Sequence, residues 1–185
     1  MNDICGEAGR WDLLARCVQA TLFIAHGLRD DSEIILVLRG PPDTPKAIRV
    51  SGAQARRFNP DERSTVALLS RALELGLPAN GREVGSTPGV FVSRRDLAAV
   101  LDACDDGPLV LLDEDGHLNG HDLPDLLEGG SATFVLGDNN GLTDEQFSEV
   151  RSRRPLEVTL GPVPLHADHC IAIVHNLLDR GLPLG

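Results

Sequence analysis

Leu156-Glu157-Val158-Thr159-Leu160-Gly161-Pro162-Val163-Pro164-Leu165-His166-Ala167-Asp168-His169-Cys170-Ile171 decides the fold class. Residues 156–160 have the length and branched composition of a strand, and 161–165 interrupt it with glycine and proline. From 166 to 180, Ala167, Cys170, Ile171, Val174, Leu177 and Leu178 recur at threes and fours and lay one apolar face along a helix. Strand, short turn and helix is the repeating unit of an α/β domain.

The same rhythm runs upstream. Leu109–Leu112 reads as a strand, 122–128 as a short helix and Thr133–Leu136 as another strand, and Thr143 with Gln146 forms a capping box for a further helix. Val90–Val92 is a short strand, after which Ser93 with Asp96 opens a helix carrying Leu97, Val100, Leu101 and Cys104. Near the start, Trp11, Leu14, Ala15, Val18, Leu22 and Ala25 predict a helix from Arg10 to His26, ended by Gly27. The continuous apolar run Ile34–Leu38 has the pattern of a strand buried on both faces of a parallel sheet. A proline-bearing loop over 39–45 and a short strand at Ala47–Val50 follow. Asn59 as cap, Pro60 at the first position and Glu62 completing a capping box then predict a helix over 60–75 that stops at Gly76. The expectation is one α/β domain over 1–185, a mostly parallel sheet with helices on both faces and no dividing linker.

Composition bounds the function. With 42% hydrophobic and 24% charged residues in 185, the chain is globular, which excludes wholesale disorder. No run approaches the ~20 apolar residues of a membrane span, and Met1 to Arg10 is too polar for a signal peptide, so a cytoplasmic protein with no membrane partner is expected. Cys5, Cys17, Cys104 and Cys170 form no C-x-x-C pair and read as reduced thiols. The net charge of −11 argues against a protein that coats nucleic acid, and DNA in particular, indiscriminately. Its distribution is uneven: residues 1–95 carry 13 of the 17 Lys and Arg against 11 of the 28 acids, so if a polyanion binds this chain, Coulomb's law favours that half.

In a parallel sheet, ligands bind beyond the carboxyl ends of the strands. Three such loops, Leu112–Gly116, Leu136–Gly141 and Leu160–Leu165, leave their strands through small or rigid residues that let main-chain atoms approach a flat heterocycle. Glycine and proline also simply end strands. The Rossmann and P-loop fingerprints and the G-x-S-x-G elbow are absent. Gly116 comes too early after Asp113 and Asp115 for a calcium loop, and His166, His169 and Cys170 lack an obliged distant ligand for zinc, so no metal is expected. In the first half, Arg10-Trp11-Asp12 and Arg56-Arg57-Phe58-Asn59-Pro60-Asp61-Glu62-Arg63 place arginines at helix starts, where free amides favour phosphate; equally, the acids complement the helix dipoles and pair with the arginines.

Several separated stretches, in order, resemble the TrmY family of tRNA pseudouridine N1-methyltransferases: Gly9-Arg10-Trp11-Asp12-Leu13-Leu14-Ala15-Arg16-Cys17, Asn59-Pro60-Asp61-Glu62-Arg63-Ser64, Ser86-Thr87-Pro88-Gly89-Val90, Ala167-Asp168-His169-Cys170-Ile171, Val174-His175-Asn176 and Leu178-Asp179-Arg180. The resemblance implies a SPOUT-class fold with a C-terminal trefoil knot, a homodimer, S-adenosylmethionine in the knot and tRNA as partner. Carried over by position, the cofactor contacts are Leu112, Gly137, Leu160, Gly161, Pro162, Val163, Pro164, Leu165 and Cys170, which fall in the three loops and the helix after the last. The acceptor would be N1 of pseudouridine 54 in the T-loop, a ring nitrogen that must lose a proton. Asp12 is then expected as base or orienting carboxylate, Arg10 and Arg63 as stabilisers of developing charge, and Arg57 and Asn59 as RNA contacts. Another RNA such as rRNA, or a non-catalytic RNA-binding role, are the competing readings.

Overall fold

A computed structural model describes residues 10–40, 43–104, 107–128 and 130–181. Cys5 and Gly9, and Pro41 and Pro42 of the expected loop, lie outside the described residues. The chain divides into two compact units, Met1–Val100 and Leu101–Gly185.

The first unit opens with α1 (Trp11–Leu22), which passes directly into a hairpin of β1 (Phe23–Ile24) and β2 (Gly27–Leu28). The helix expected to reach His26 stops at Leu22: Phe23 is extended, and the Arg29 amide donates to the Leu22 carbonyl at 2.7 Å, supplying the partner that another helical turn would have provided. Then come β3 (Glu33–Leu38), β4 (Lys46–Ser51), α2 (Glu62–Leu73), β5 (Val84–Thr87) and β6 (Val90–Ser93). The sheet order is β3-β4-β6-β5, and every pairing in it is antiparallel.

The expected single, mostly parallel sheet is therefore corrected for this half. Ile34–Leu38 lies at the sheet edge; Leu36 is buried while its neighbours are half-buried on alternating faces. An edge strand with apolar residues on both faces spells the same continuous run as a central parallel strand. Trp11, Val18 and Leu22 of α1 and Val66, Leu69 and Ala72 of α2 pack with Leu36, Ile48, Val50, Val90 and Val92 into one core.

Two caps differ from expectation. Asp61, not Asn59, caps α2 by accepting the Ser64 amide at 2.8 Å, which puts Glu62 at the first helical position instead of in a capping box. Asp96 caps α3 (Leu97–Leu101) through the Ala99 amide at 2.9 Å, while Ser93 is the buried last residue of β6 and Cys104 lies beyond the helix.

The second unit contains β7 (Leu109–Leu112), β8 (Leu118–Asn119), a 3-10 turn at Gly120–Asp122, α4 (Leu123–Leu127), β9 (Thr133–Val135), α5 (Asp144–Arg151), β10 (Leu156–Thr159) and α6 (Ala167–Asp179). Here the sheet is parallel, in the order β8-β10-β7-β9. The Thr143–Gln146 capping box is present. Val110, Val158, Leu123, Leu127, Val174 and Leu177 form a core in which α4 and α6 pack with the strands. No helix among the described residues is long and apolar enough to cross a membrane.

Candidate functional site

Register fixes one end of the parallel sheet. Val158 stands opposite both Leu112 and Leu118, and Leu111 opposite Val135, so β7, β9 and β10 end almost level. With β7 in the middle, adjacent strand ends are about 4.8 Å apart. The loops leaving them therefore share one edge, and with them Leu112, Gly137 and the run Leu160 to Leu165.

Each loop is held by close local contacts. The turn after β7 folds back on β10, where a Cβ on Gly116 would meet Val158 C at 2.5 Å, and the Asp113 amide donates to the Val158 carbonyl at 3.0 Å. After β9, the Gly141 amide donates to the Asp138 carbonyl at 3.1 Å, and Gly137 lies so close to Gly141 that a Cβ would be 2.6 Å from its Cα. After β10, the Thr159 hydroxyl donates to the Gly161 carbonyl at 3.1 Å, and Gly161 takes φ +147°, a glycine conformation. A Cβ on either Gly141 or Gly161 would meet nothing within 4 Å, so bare main chain faces open space on two of the loops. That suits a flat heterocycle held by backbone groups.

Beyond Gly161, Pro162, Val163, Pro164 and Leu165 are exposed, Val163 at 66%. Cys170 joins this loop to α6: its amide donates to the His166 carbonyl at 3.0 Å, and its sulfur lies 3.9 Å from the Leu165 carbonyl oxygen. Burial, with the Asp168 charge second, pushes the Cys170 thiol up, which favours its protonated form. The His166 and His169 rings are exposed and meet edge to face at 5.8 Å. Away from this edge, a cleft of about 460 Å³ is lined by Leu101, Asp102, Cys104, Leu109 and Arg153, but Arg153 is already paired with Asp102 at 2.5 Å and with Glu149.

In the first unit, the starts of α1 and α2 meet through charge. Asp12, its side chain 9% exposed, receives Arg10 Nε and Nη2 at 2.8 Å each and Arg16 Nη1 at 3.1 Å. Arg16 continues to Glu62 at 3.8 Å, and one turn further along Gln19 donates to Thr65 at 3.4 Å. The Arg10 guanidinium, followed by the Leu13 amide and Arg16, holds the Asp12 carboxyl far below the usual carboxylate range against the opposing effect of burial.

Asn59 and Arg63 are exposed around the start of α2. Arg57 is exposed with φ +61°, a left-handed conformation that is costly for arginine. Neighbouring Arg56, also exposed, donates to the Ala53 and Ala55 carbonyls at 2.9 and 2.7 Å. The turn carrying Pro88 and Gly89 rests on this loop: a Cβ on Gly89 would lie 2.5 Å from Ala55 Cα, and the Ser51 amide donates to the Gly89 carbonyl at 2.9 Å. Three motif stretches quoted from the sequence thus fall, where described, in this one unit.

Arg16 escaped sequence reasoning as a site residue because its partner on the second helix lies 46 positions away. The four-residue spacing of Asp12 and Arg16 was the available signal. Asp168, which the sequence places in a quoted motif without a role, is buried in the first turn of α6.

Comparisons with known proteins place the chain in a family. A family model described as "Putative SAM-dependent RNA methyltransferase" matches residues 1–181. The tRNA (pseudouridine(54)-N(1))-methyltransferase of Methanocella arvoryzae is 43% identical over 180 residues, covering 97% of this chain and 90% of that protein. The enzyme of the same name from Methanococcoides burtonii is 41% identical over 184 residues, covering 98% and 89%. Among solved structures, Archaeoglobus fulgidus Nep1 bound to S-adenosylhomocysteine aligns with a TM-score of 0.62 at 18% identity, over 94% of this chain and 71% of that one, a likeness of fold. With a family model spanning nearly every residue and relatives above 40% identity along the same length, the chain belongs to this family of S-adenosylmethionine-dependent RNA methyltransferases.

Proposed function

We propose that the chain methylates N1 of pseudouridine 54 in tRNA, using S-adenosylmethionine held at the carboxyl edge of the β8-β10-β7-β9 sheet. The observation that carries this reading is the common edge of three glycine- and proline-bearing loops, combined with nearly full-length similarity to enzymes of that name. Leu112, Gly137, Leu160 to Leu165 and Cys170 are the residues that would hold the cofactor, with bare main chain at Gly141 and Gly161 leaving room beside them. When bound, the cofactor supplies a methyl group already activated on a sulfonium. The protein's task is then alignment and exclusion of water more than activation. Exposed apolar side chains at Val163 and Leu165 suit the second of these.

The first unit, with 13 of the 17 basic residues in 1–95, is the RNA-facing part of what we take to be one SPOUT methyltransferase domain. Its knotted part, about residues 105–185, carries the trefoil thread. The working form is a cytoplasmic homodimer, which lets two copies of an acidic chain pool their basic patches. Arg57 and Asn59 hold RNA, and Arg10 and Arg63 stabilise charge that develops on the pyrimidine.

The direct test incubates tRNA carrying pseudouridine at position 54 with the protein and isotope-labelled S-adenosylmethionine, then digests the tRNA and reads nucleosides by mass spectrometry. Labelled N1-methylpseudouridine is expected. Label in no tRNA nucleoside, with label in ribosomal RNA treated alike, would transfer the activity to the other substrate.

Arg57 allows a test of the RNA assignment with opposite signs in two readouts. Glycine accepts φ +61° without strain, so Arg57→Gly should leave melting unchanged or raise stability by up to ~1 kcal/mol. Affinity for tRNA should fall about tenfold as a phosphate contact is lost. A lower melting temperature with unchanged affinity would make Arg57 a structural residue.

A further inference from the structure

The fork at the start of α1 separates two roles that the sequence leaves open for Asp12. A proton acceptor for a ring N–H works best when its own proton affinity is near that of the group it serves. Asp12 is built for the reverse. Both its oxygens are engaged by guanidinium N–H groups, two bonds from Arg10 at 2.8 Å and one from Arg16 at 3.1 Å, and its side chain is 9% exposed. The first-turn Leu13 amide adds to the stabilisation of its charge. Protonating it would break the bidentate fork and leave two arginines facing a neutral acid.

What the fork does accomplish is orientation. Arginine loses rotamer freedom when it binds an anion, and a bidentate carboxylate removes that freedom beforehand. Arg10 and Arg16 remain 40% and 31% exposed in their side chains while fixed from below by Asp12. Arg16 also reaches Glu62 at the first position of α2, so the same ion chain sets the two helix starts relative to each other within this unit. Both helices run 12 residues, and their amino ends add positive potential to the same end of the unit.

Building on the proposed tRNA methylation, we infer that Asp12 is a positioning residue and Arg16 a further RNA-binding residue: Asp12 presets Arg10 and Arg16 to grip an anionic oxygen of the RNA and does not itself take the N1 proton. The carboxylate thus acts through its arginines, and Arg16 shares in RNA affinity although it opens neither helix.

The experiment measures the affinity of the full-length protein for tRNA carrying pseudouridine 54, without cofactor, and the single-turnover methylation rate at saturating tRNA. It compares wild type, Asp12→Asn, Arg10→Ala and the double variant, each with a thermal melt. Asp12→Asn should weaken tRNA binding tenfold or more while the saturating rate stays within tenfold. On the Arg10→Ala background it should weaken binding by a smaller factor than it does in the wild type, because one of the two groups it positions is gone while Arg16 remains. Unchanged affinity with a saturating rate down a hundredfold or more would make Asp12 the proton acceptor and overturn the inference, as would full additivity in the double variant. Should Asp12→Asn melt below assay temperature, Arg16→Gln decides: weaker binding and a salt dependence shallower by about one counterion support the inference, and unchanged values for both refute it. Wild-type protein that binds this tRNA but transfers no methyl group would count against the proposed activity and leave the binding comparison readable.

Discussion

Gly137→Ala is expected to lower affinity for S-adenosylmethionine at least a hundredfold, about 2.7 kcal/mol, while leaving the protein folded. A Cβ at this position would stand 2.6 Å from Gly141 Cα and C and 2.8 Å from the Leu142 amide nitrogen. All three contacts are main chain, so no side chain can swing aside. The turn must open instead. Its closure rests on the Gly141 amide bonded to the Asp138 carbonyl at 3.1 Å and the Asn140 amide bonded to the Asp138 carboxylate at 2.8 Å, which are few bonds to resist the push. Displacing the loop by about 1 Å removes main-chain groups from the positions a heterocycle would need.

Calorimetry with S-adenosylmethionine and S-adenosylhomocysteine reads the effect, and a thermal melt confirms folding. Gly141→Ala is the comparison, because its Cβ would enter open space and its cost is confined to a φ of +74°. Wild-type affinity in Gly137→Ala would remove this loop from the cofactor site.

The parallel half of the fold was readable because its signals are local. Leu109–Leu112, Thr133–Val135 and Leu156–Thr159 are short branched runs with capped helices or glycine turns after them, and Thr143 with Gln146 forms a capping box within four residues. Their carboxyl ends could be picked out as the edge of the proposed cofactor site without knowing the strand order. Sheet order and direction in the other half depend on partners far along the chain. Ile34–Leu38 pairs antiparallel with Lys46–Ser51 at the edge, and nothing in its five apolar letters distinguishes that from a central parallel strand.

The helix starts failed for a smaller reason. Asn59 and Asp61 are equally good caps, and the choice between them rests on which residue takes the extended conformation, here Asp61 at φ −133°. The candidate site divides the same way. Arg10 and Asp12 lie two apart and could be suspected of pairing, whereas the Arg16–Glu62 link and the seating of Gly89 on Ala55 appear only once the chain is folded.

That seating makes Gly89→Ala the substitution expected to damage the first unit most. Gly89 is buried with φ +87°, where an added Cβ costs about 1–2 kcal/mol by itself. The same Cβ would lie 2.5 Å from both Cα and N of Ala55 and 2.9 Å from Gln54 C, so the loop after β4 must shift as well. Ala55 is 3% exposed and its amide is bonded to the Ser51 carbonyl at 2.8 Å, which leaves the loop little room to yield without breaking its anchor. A loss of about 2–4 kcal/mol in stability is expected from strain and displaced packing together. Because Arg57 follows Ala55 by two residues, tRNA affinity should also fall more than tenfold at temperatures where the variant remains folded. Alanine at Gly27 or Gly76, where φ is ordinary and a Cβ meets nothing within 4 Å, should leave both readouts unchanged or raise stability by about 0.4–1 kcal/mol. If Gly89→Ala behaves like those two, the turn does not hold the arginine loop, and Arg57 owes its left-handed backbone to something other than the contact beneath it.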